Sequence, residues 1–139
     1  MAMPPLLEER SPAVQMVLGA IVPASFGALV GLFLITSEPA YLVGSVLGIG
    51  GGYFAGLEHH GAADGAARGF IGGFLFGLFI LTVRELTGEE EKALIPEPAA
   101  GLLVITVVFG MGLGALGGHM RARHARKHEP HVPEAPAET

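Results

Sequence analysis

The sequence contains no cysteine and few charged residues, and each absence excludes a class of protein. Without cysteine the chain can form no disulfide, no thiolate metal site and no thiol nucleophile. Only 15% of the 139 residues are charged, whereas a soluble domain carries about a quarter. The eight Lys and Arg residues are too few to form a basic surface of globular size. This argues against nucleic-acid binding.

Long uncharged stretches take the place of the missing charges. Four stretches contain no Asp, Glu, Lys or Arg: 11–37, 39–57, 69–83 and 98–120. Apolar stretches of about this length are typical of membrane-spanning helices. The sequence therefore predicts an all-α fold, a bundle of four transmembrane helices at 14–35, 41–57, 65–83 and 99–119.

The remaining segments and the helix ends follow from local composition. We expect Ser11 to cap the first helix ahead of Pro12, and Pro23 to kink it. We expect Arg68 to extend from the start of the third helix towards the lipid headgroups. The predicted organisation is a polar leader at 1–13, a transmembrane domain at 14–119 made of hairpins 14–60 and 65–119, and a tail at 120–139 that is first basic and then proline-rich and disordered.

The orientation follows from the placement of Lys and Arg. With four spans, both termini lie on the same side as the connection between helices two and three. That side holds Arg10, Arg68, Arg121, Arg123, Arg126 and Lys127, whereas the other holds Arg84 and Lys92. Since basic residues remain inside, both termini are predicted to be cytoplasmic, in a protein of the cell membrane. The basic tail is expected to contact anionic lipid headgroups.

Two short segments occur twice. The hexapeptide at 31–36, GLFLIT, resembles GLFILT at 77–82, and the tripeptide Glu-Pro-Ala at 38–40 returns at 97–99. We interpret this as a duplicated two-helix hairpin whose copies are related by an axis along the membrane normal. The alternative is chance matching in a sequence rich in glycine and leucine.

Glycines recur at steps of four along the predicted helices. The rows are Gly27 and Gly31; Gly44, Gly48, Gly52 and Gly56; Gly65, Gly69, Gly73 and Gly77; and Gly110, Gly114 and Gly118. Such rows let helix backbones approach closely in lipid, so we expect glycine-zipper packing. One register that fits pairs helices two and three directly, from Gly44 with Gly77 to Gly56 with Gly65. The rows could serve packing within one chain, association between copies, or a pore.

The segments 51–56, GGYFAG, and 64–69, DGAARG, carry a resemblance. Together they resemble small, uncharacterised four-helix membrane protein families of bacteria and archaea, which share a GG-x-x-AG … DG-A-x-x-G pattern across helices two and three. The resemblance implies a four-helix topology and no particular activity.

One cluster of ionisable residues lies at the predicted membrane interface. Glu58, His59 and His60 follow helix two, and His119 ends helix four. A metal site or a pH-sensing site is one interpretation, since His and Glu are ligands and His titrates near neutral pH. The interpretation we prefer is a set of polar residues that ends the apolar spans. We therefore predict no metal site, no catalytic residue and no cofactor.

The middles of the predicted helices carry no ionisable side chain, which argues against a proton-driven transporter. The sequence predicts an integral membrane protein without enzymatic activity. Its expected role is a packing or assembly component that associates with itself or with another membrane protein. The first alternative is a small channel or transporter lined by glycine-rich helices. An enzyme with a site at Glu58, His59 and His60 is a remote alternative.

Overall fold

The structure is a computed structural model that describes residues 2–128, and every element in that range is helical. Four long helices account for most of it, which confirms the all-α prediction. A single 3₁₀ turn, Leu7–Glu9, precedes them. The helices are α1 (Pro12–Thr36), α2 (Glu38–Gly56), α3 (Ala62–Thr87) and α4 (Ala100–His128).

The helix ends follow local chemical signals. Ser11 caps α1 with its side-chain oxygen, and Pro12 occupies the first turn as expected. A single extended residue, Ser37, separates α1 from α2 and caps α2 in the same way. Gly88 ends α3 in the left-handed region, at a φ of 63°, where glycine has no steric penalty.

The helix α4 is longer than expected. It continues through residues 120–128, the basic part of the predicted tail, whereas the span was expected to end at residue 119. Arg, Ala and Lys in this segment are good helix formers, so the helix does not end where the apolar stretch ends. Residues 129–139 lie outside the described part of the chain.

Three of the four helices, α1, α3 and α4, are long and apolar enough to cross a membrane. The helix α2 differs because six of its 19 residues are glycine, which adds little to hydropathy. Apart from Glu38 in its first turn, its exposed side chains are nevertheless apolar, with Leu42, Val43, Val46, Leu47 and Phe54 all more than half exposed.

The bundle is arranged so that α1 and α4 each pack against both α2 and α3. We call the end that carries residues 2–11, the 57–61 connection and the last turns of α4 the terminal end. The other end, formed by Ser37 and residues 88–99, is the distal end. Chain direction makes α1 parallel to α3, and α2 parallel to α4.

A conventional apolar core fills the distal half of the bundle. Val30, Leu34 and Ile80 are completely buried there, within the cluster Val30, Leu34, Tyr41, Phe76, Ile80, Ala93 and Leu102. The 88–99 loop closes over this core. The backbone N–H of Lys92 donates to the carbonyl of Leu34 at 2.8 Å, and Ala93 of the same loop is buried.

In the terminal half, α3 and α4 touch through their backbones. A Cβ atom at any of five glycines on the two helices would come within 3.0 Å of the opposite backbone. The facing groups are Gly65 with Gly114, Gly69 with Gly110, and Gly73 with Thr106; beyond them, Gly118 lies against Gly61, the residue before α3. At each of these contacts at least one residue is glycine, because a Cβ atom pointing at the opposite backbone would prevent this close approach. At Gly77 the nearest neighbour is instead the side chain of Thr106.

The glycines of α2 do not pair with those of α3 in the register suggested above. Gly52 and Gly56 lie against α4, at Gly110 and Gly114, whereas Gly44 and Gly48 lie against side chains of Val30 and Phe76. The reason is steric. The glycine row of α4 faces both α2 and α3 over this half, and the Phe76 ring of α3 lies between Gly48 of α2 and Phe26 of α1.

The first hairpin, formed by α1 and α2, packs differently from the second, formed by α3 and α4. Gly27 and Gly31 of α1 lie against the backbone of α3 at Phe76 and Ile80, while α1 and α2 meet mainly through side chains. The hairpin of α3 and α4 instead meets backbone to backbone. The arrangement therefore gives no support to the expected duplication, which stays a prediction.

Candidate functional site at the terminal end

A proline in α1 creates an unpaired carbonyl that another helix satisfies. Residues Val17–Ile21 form a π-helical stretch in which the N–H of Val22 donates to the carbonyl five residues back, Val17. The next bond in this series would join Pro23 to Leu18, but proline has no N–H. The guanidinium of Arg68 takes its place, with Nη2 donating to the Leu18 oxygen at 2.5 Å.

Arg68 was expected to extend towards the lipid headgroups, but its side chain reaches across to the backbone of α1. It turns inward because the Leu18 carbonyl is unpaired and offers an acceptor close by. Its Nε atom is also buried, without an acceptor among residues 2–128.

The leader folds back onto the end of the bundle. Leu6 is buried at 7% exposure, and the N–H of Leu7 donates to the backbone carbonyl of Glu58 at 3.0 Å. Arg10 Nη2 lies 2.7 Å from Glu58 Oε1, and both side chains are largely shielded from solvent. The leader thus contributes one apolar contact and one half-buried ion pair to the terminal end.

Arg121 of α4 fastens the other side of the leader. Its Nη1 atom donates to the carbonyls of Pro4 at 2.6 Å and Leu57 at 2.7 Å. Three arginines, Arg10, Arg68 and Arg121, therefore hold segments that are distant in sequence. These basic residues therefore act as structural links between the segments that meet at this end.

Of the predicted polar cluster, Glu58, His59 and His60 line one cavity, whereas His119 is not part of its wall, and each of the three has its own contact. Glu58 binds Arg10, the Nδ1 atom of His59 lies 3.0 Å from the carbonyl of Ala55 in its own helix, and His60 contacts Glu8 at 2.7 Å. His119 is exposed on α4. Among the residues that the structure describes, no three His, Asp or Glu side chains form a group that could hold a metal ion.

A cavity of about 350 Å³ lies between α1, α2 and α3. Its walls are mostly apolar side chains and glycines, with Glu58, Arg68 and Thr106 as the polar members. The main wall residues are Leu18, Val22, Pro23, Phe26, Leu47, Gly48, Gly51, Gly52, Phe54, Gly69, Gly72, Gly73 and Phe76. The cavity exists because two helices present glycine where other helices would place side chains.

A second, larger cavity of about 640 Å³ lies nearer the terminal end. Most of its wall is apolar, but six ionisable side chains line it, and for these we call it the polar cavity. Glu8, His59, His60 and Asp64 line it, together with Leu6 and Leu7 of the leader. Glu58 and Arg68 line both cavities, so these two side chains lie where the two cavities adjoin.

Sequence reasoning found Glu58 and its histidine neighbours but missed Arg10, Arg68 and Arg121 as members of the site. The sequence did hold one signal for Arg68. A proline inside a long apolar helix leaves a carbonyl without a partner, and an arginine near the end of another helix is a natural donor. Comparison of the chain with known protein families, curated proteins and solved structures finds no match.

Proposed function

We propose that the protein is a multi-pass membrane protein with four spans and a non-enzymatic role in packing or assembly. The observation that carries the proposal is the position of its large apolar side chains. They lie on the outside of all four helices, as at Val22, Val46, Ile71 and Val108, each about half exposed or more. A continuous apolar surface of this extent marks contact with lipid or with another apolar surface.

The interior supports the same conclusion. In lipid, helices gain little from burying leucine, because lipid tails are equally apolar, so they associate through close backbone contact. The contact of Gly69 with Gly110, and its repeats along α3 and α4, is packing of this kind. We infer that the glycine rows act chiefly within one chain, since most of their members already face a neighbouring helix.

The fourth span in this proposal is α2. Its 19 residues extend about 28 Å at 1.5 Å per residue, close to the hydrocarbon thickness of about 30 Å. A one-residue turn at Ser37 joins it to α1, so α2 must run back beside α1. Its exposed valines and leucines would then face lipid.

The proposed orientation places the terminal end in the cytoplasm. Arg10 and Arg121 lie at this end, and the exposed residues Arg123, Arg126 and Lys127 continue α4 beyond it. Basic residues just outside a span favour the cytoplasmic side. They would attract anionic headgroups at about 1 kcal/mol each.

Membrane extraction and affinity purification test this role. The chain should stay in the membrane pellet after an alkaline wash. In mild detergent it should co-purify with a second tagged copy or with another membrane protein. Release by the alkaline wash contradicts the membrane assignment, and purification as a lone monomer contradicts the assembly role.

A channel or transporter is the second candidate, and the glycine-lined cavity favours it. The distal core argues against an open pathway in one chain, because Val30, Leu34 and Ile80 are completely buried above the cavity. Flux through liposomes that contain the purified protein would support the second candidate, and tight liposomes would favour the packing role.

A further inference from the structure

The apolar cavity reaches the outer surface of the bundle between α1 and α2. Val22 of α1 and Leu47 and Phe54 of α2 line it, and their side chains are 48%, 62% and 69% exposed. The two helices are in contact nearer the distal end, where Gly44 of α2 lies against Val30 of α1. The cavity therefore opens sideways onto the apolar surface, and a molecule in a bilayer could enter it without crossing water.

The part of this cavity nearest the terminal end of the bundle carries charged side chains. Arg68 lies there with its Nη1 atom over Gly72, its Nη2 atom bonded to Leu18 and its Nε atom without an acceptor in the described chain. Arginine is well suited to bind phosphate, because its planar group offers several N–H donors in a fixed geometry. Glu58, the nearby carboxylate, is already paired with Arg10.

Beyond Arg68 the polar cavity is acidic. Glu8, Glu58 and Asp64 line it, against Arg68 and two histidines. A head with net negative charge would meet repulsion from these carboxylates. A headgroup that carries both a phosphate and a primary ammonium group would place the phosphate at Arg68 and the ammonium beside Asp64, since Glu8 already contacts His60.

We propose that the two cavities together bind one phospholipid with a primary-amine head, taken from the surrounding bilayer. One acyl chain occupies the apolar cavity, whose volume of about 350 Å³ falls within the range of about 300–1,000 Å³ for small-molecule sites. The head lies in the polar cavity. This inference rests on the membrane location proposed above.

Two adjacent glycines provide a matched pair of variants. A Cβ atom at Gly51 or at Gly50 would meet no other atom within 4 Å, so both positions tolerate a side chain. Only Gly51 lines the cavity. Gly51→Leu fills the cavity, while Gly50→Leu adds the same side chain elsewhere on α2.

The test is native mass spectrometry of the full chain in detergent, titrated with phosphatidylethanolamine, phosphatidylglycerol or phosphatidylcholine of identical chains. We expect phosphatidylethanolamine to bind most tightly, Gly51→Leu to weaken this binding at least about tenfold, and Gly50→Leu to leave it unchanged. Equal binding by wild type and Gly51→Leu overturns the proposal, as does equal binding of the three lipids.

A second readout covers the case in which Gly51→Leu does not fold. The chain contains no tryptophan, so Phe26→Trp places a single fluorophore in the cavity wall. Phosphatidylethanolamine with brominated chains should quench it saturably, and absent or unsaturable quenching overturns the proposal. Wild-type protein that stays in alkaline-washed membranes without binding this lipid contradicts only the lipid site. Wild-type protein that leaves those membranes contradicts the proposed membrane function.

Discussion

Substituting alanine at Gly110 and at Gly112 isolates the energy of the backbone contact between α3 and α4. The two residues lie two positions apart in the same helix. A Cβ atom at Gly110 would come within 3.0 Å of the Gly69 carbonyl oxygen and 3.2 Å of the Gly73 Cα, whereas one at Gly112 would meet nothing within 4 Å. The substitution is chemically the same, but only one position is packed.

The expected magnitudes follow from two opposing terms. Alanine favours the helix over glycine by about 1 kcal/mol at either position, so this term cancels when the variants are compared. Overpacking costs about 1–3 kcal/mol and applies only at Gly110, where backbone on the opposite helix cannot rotate away. Gly110→Ala should therefore be less stable than Gly112→Ala by about 1–3 kcal/mol.

Thermal unfolding in detergent micelles, followed by far-UV circular dichroism, measures the difference. For a chain of this size a change of 1 kcal/mol shifts Tm by about 4 °C, so the two variants should differ by about 4–12 °C. Gly112→Ala should unfold at or above the wild-type temperature. Equal Tm values for the two variants would refute the close backbone contact.

Two further predictions concern the ends of the bundle. Leu6→Ala removes a buried side chain of the leader and should lower stability by about 2 kcal/mol, whereas Leu94→Ala, at a 97% exposed residue, should not; equal Tm values would show that the leader does not dock. Hydrogen bonds from its own backbone N–H and from Arg84 hold the pKa of Glu91 below its ordinary value. The contact therefore stabilises the loop fully at a pH above the ordinary pKa, and this stabilisation is lost as the pH falls through the lowered pKa. NMR titration of the Glu91 carboxyl carbon should give a lowered midpoint that rises in Arg84→Gln, and an unchanged midpoint would contradict the contact.

The parts of the fold that depend on neighbouring residues were predictable from the sequence. Ser11 and Pro12 define the start of α1 because capping uses atoms only a few residues apart. The helical state of all four segments likewise follows from their composition and length. Contacts between distant residues were harder to predict from the sequence, because a glycine row can pack against any helix that approaches it. The sequence suggested Gly52 opposite Gly69, and both instead face Gly110.

The candidate site shows the same limit. Glu58 could be identified as an ionisable residue at a helix end, but its partner Arg10 comes from the leader, 48 residues away in the sequence. The inward turn of Arg68 depends on a carbonyl in α1, 50 residues away, which is unpaired only because of Pro23. Such links arise from tertiary packing, and helical periodicity within one segment does not encode them.

Single-cysteine accessibility tests the central claim, four spans with cytoplasmic termini, most directly. The absence of native cysteine means that Glu38→Cys, His60→Cys and Glu90→Cys, all at exposed positions, each report one connection. In intact cells a membrane-impermeant thiol reagent should label the first and third variants, and His60→Cys only after permeabilisation. Labelling of Glu38→Cys and His60→Cys from the same side would show that α2 does not cross the membrane, and the reverse pattern would contradict the orientation.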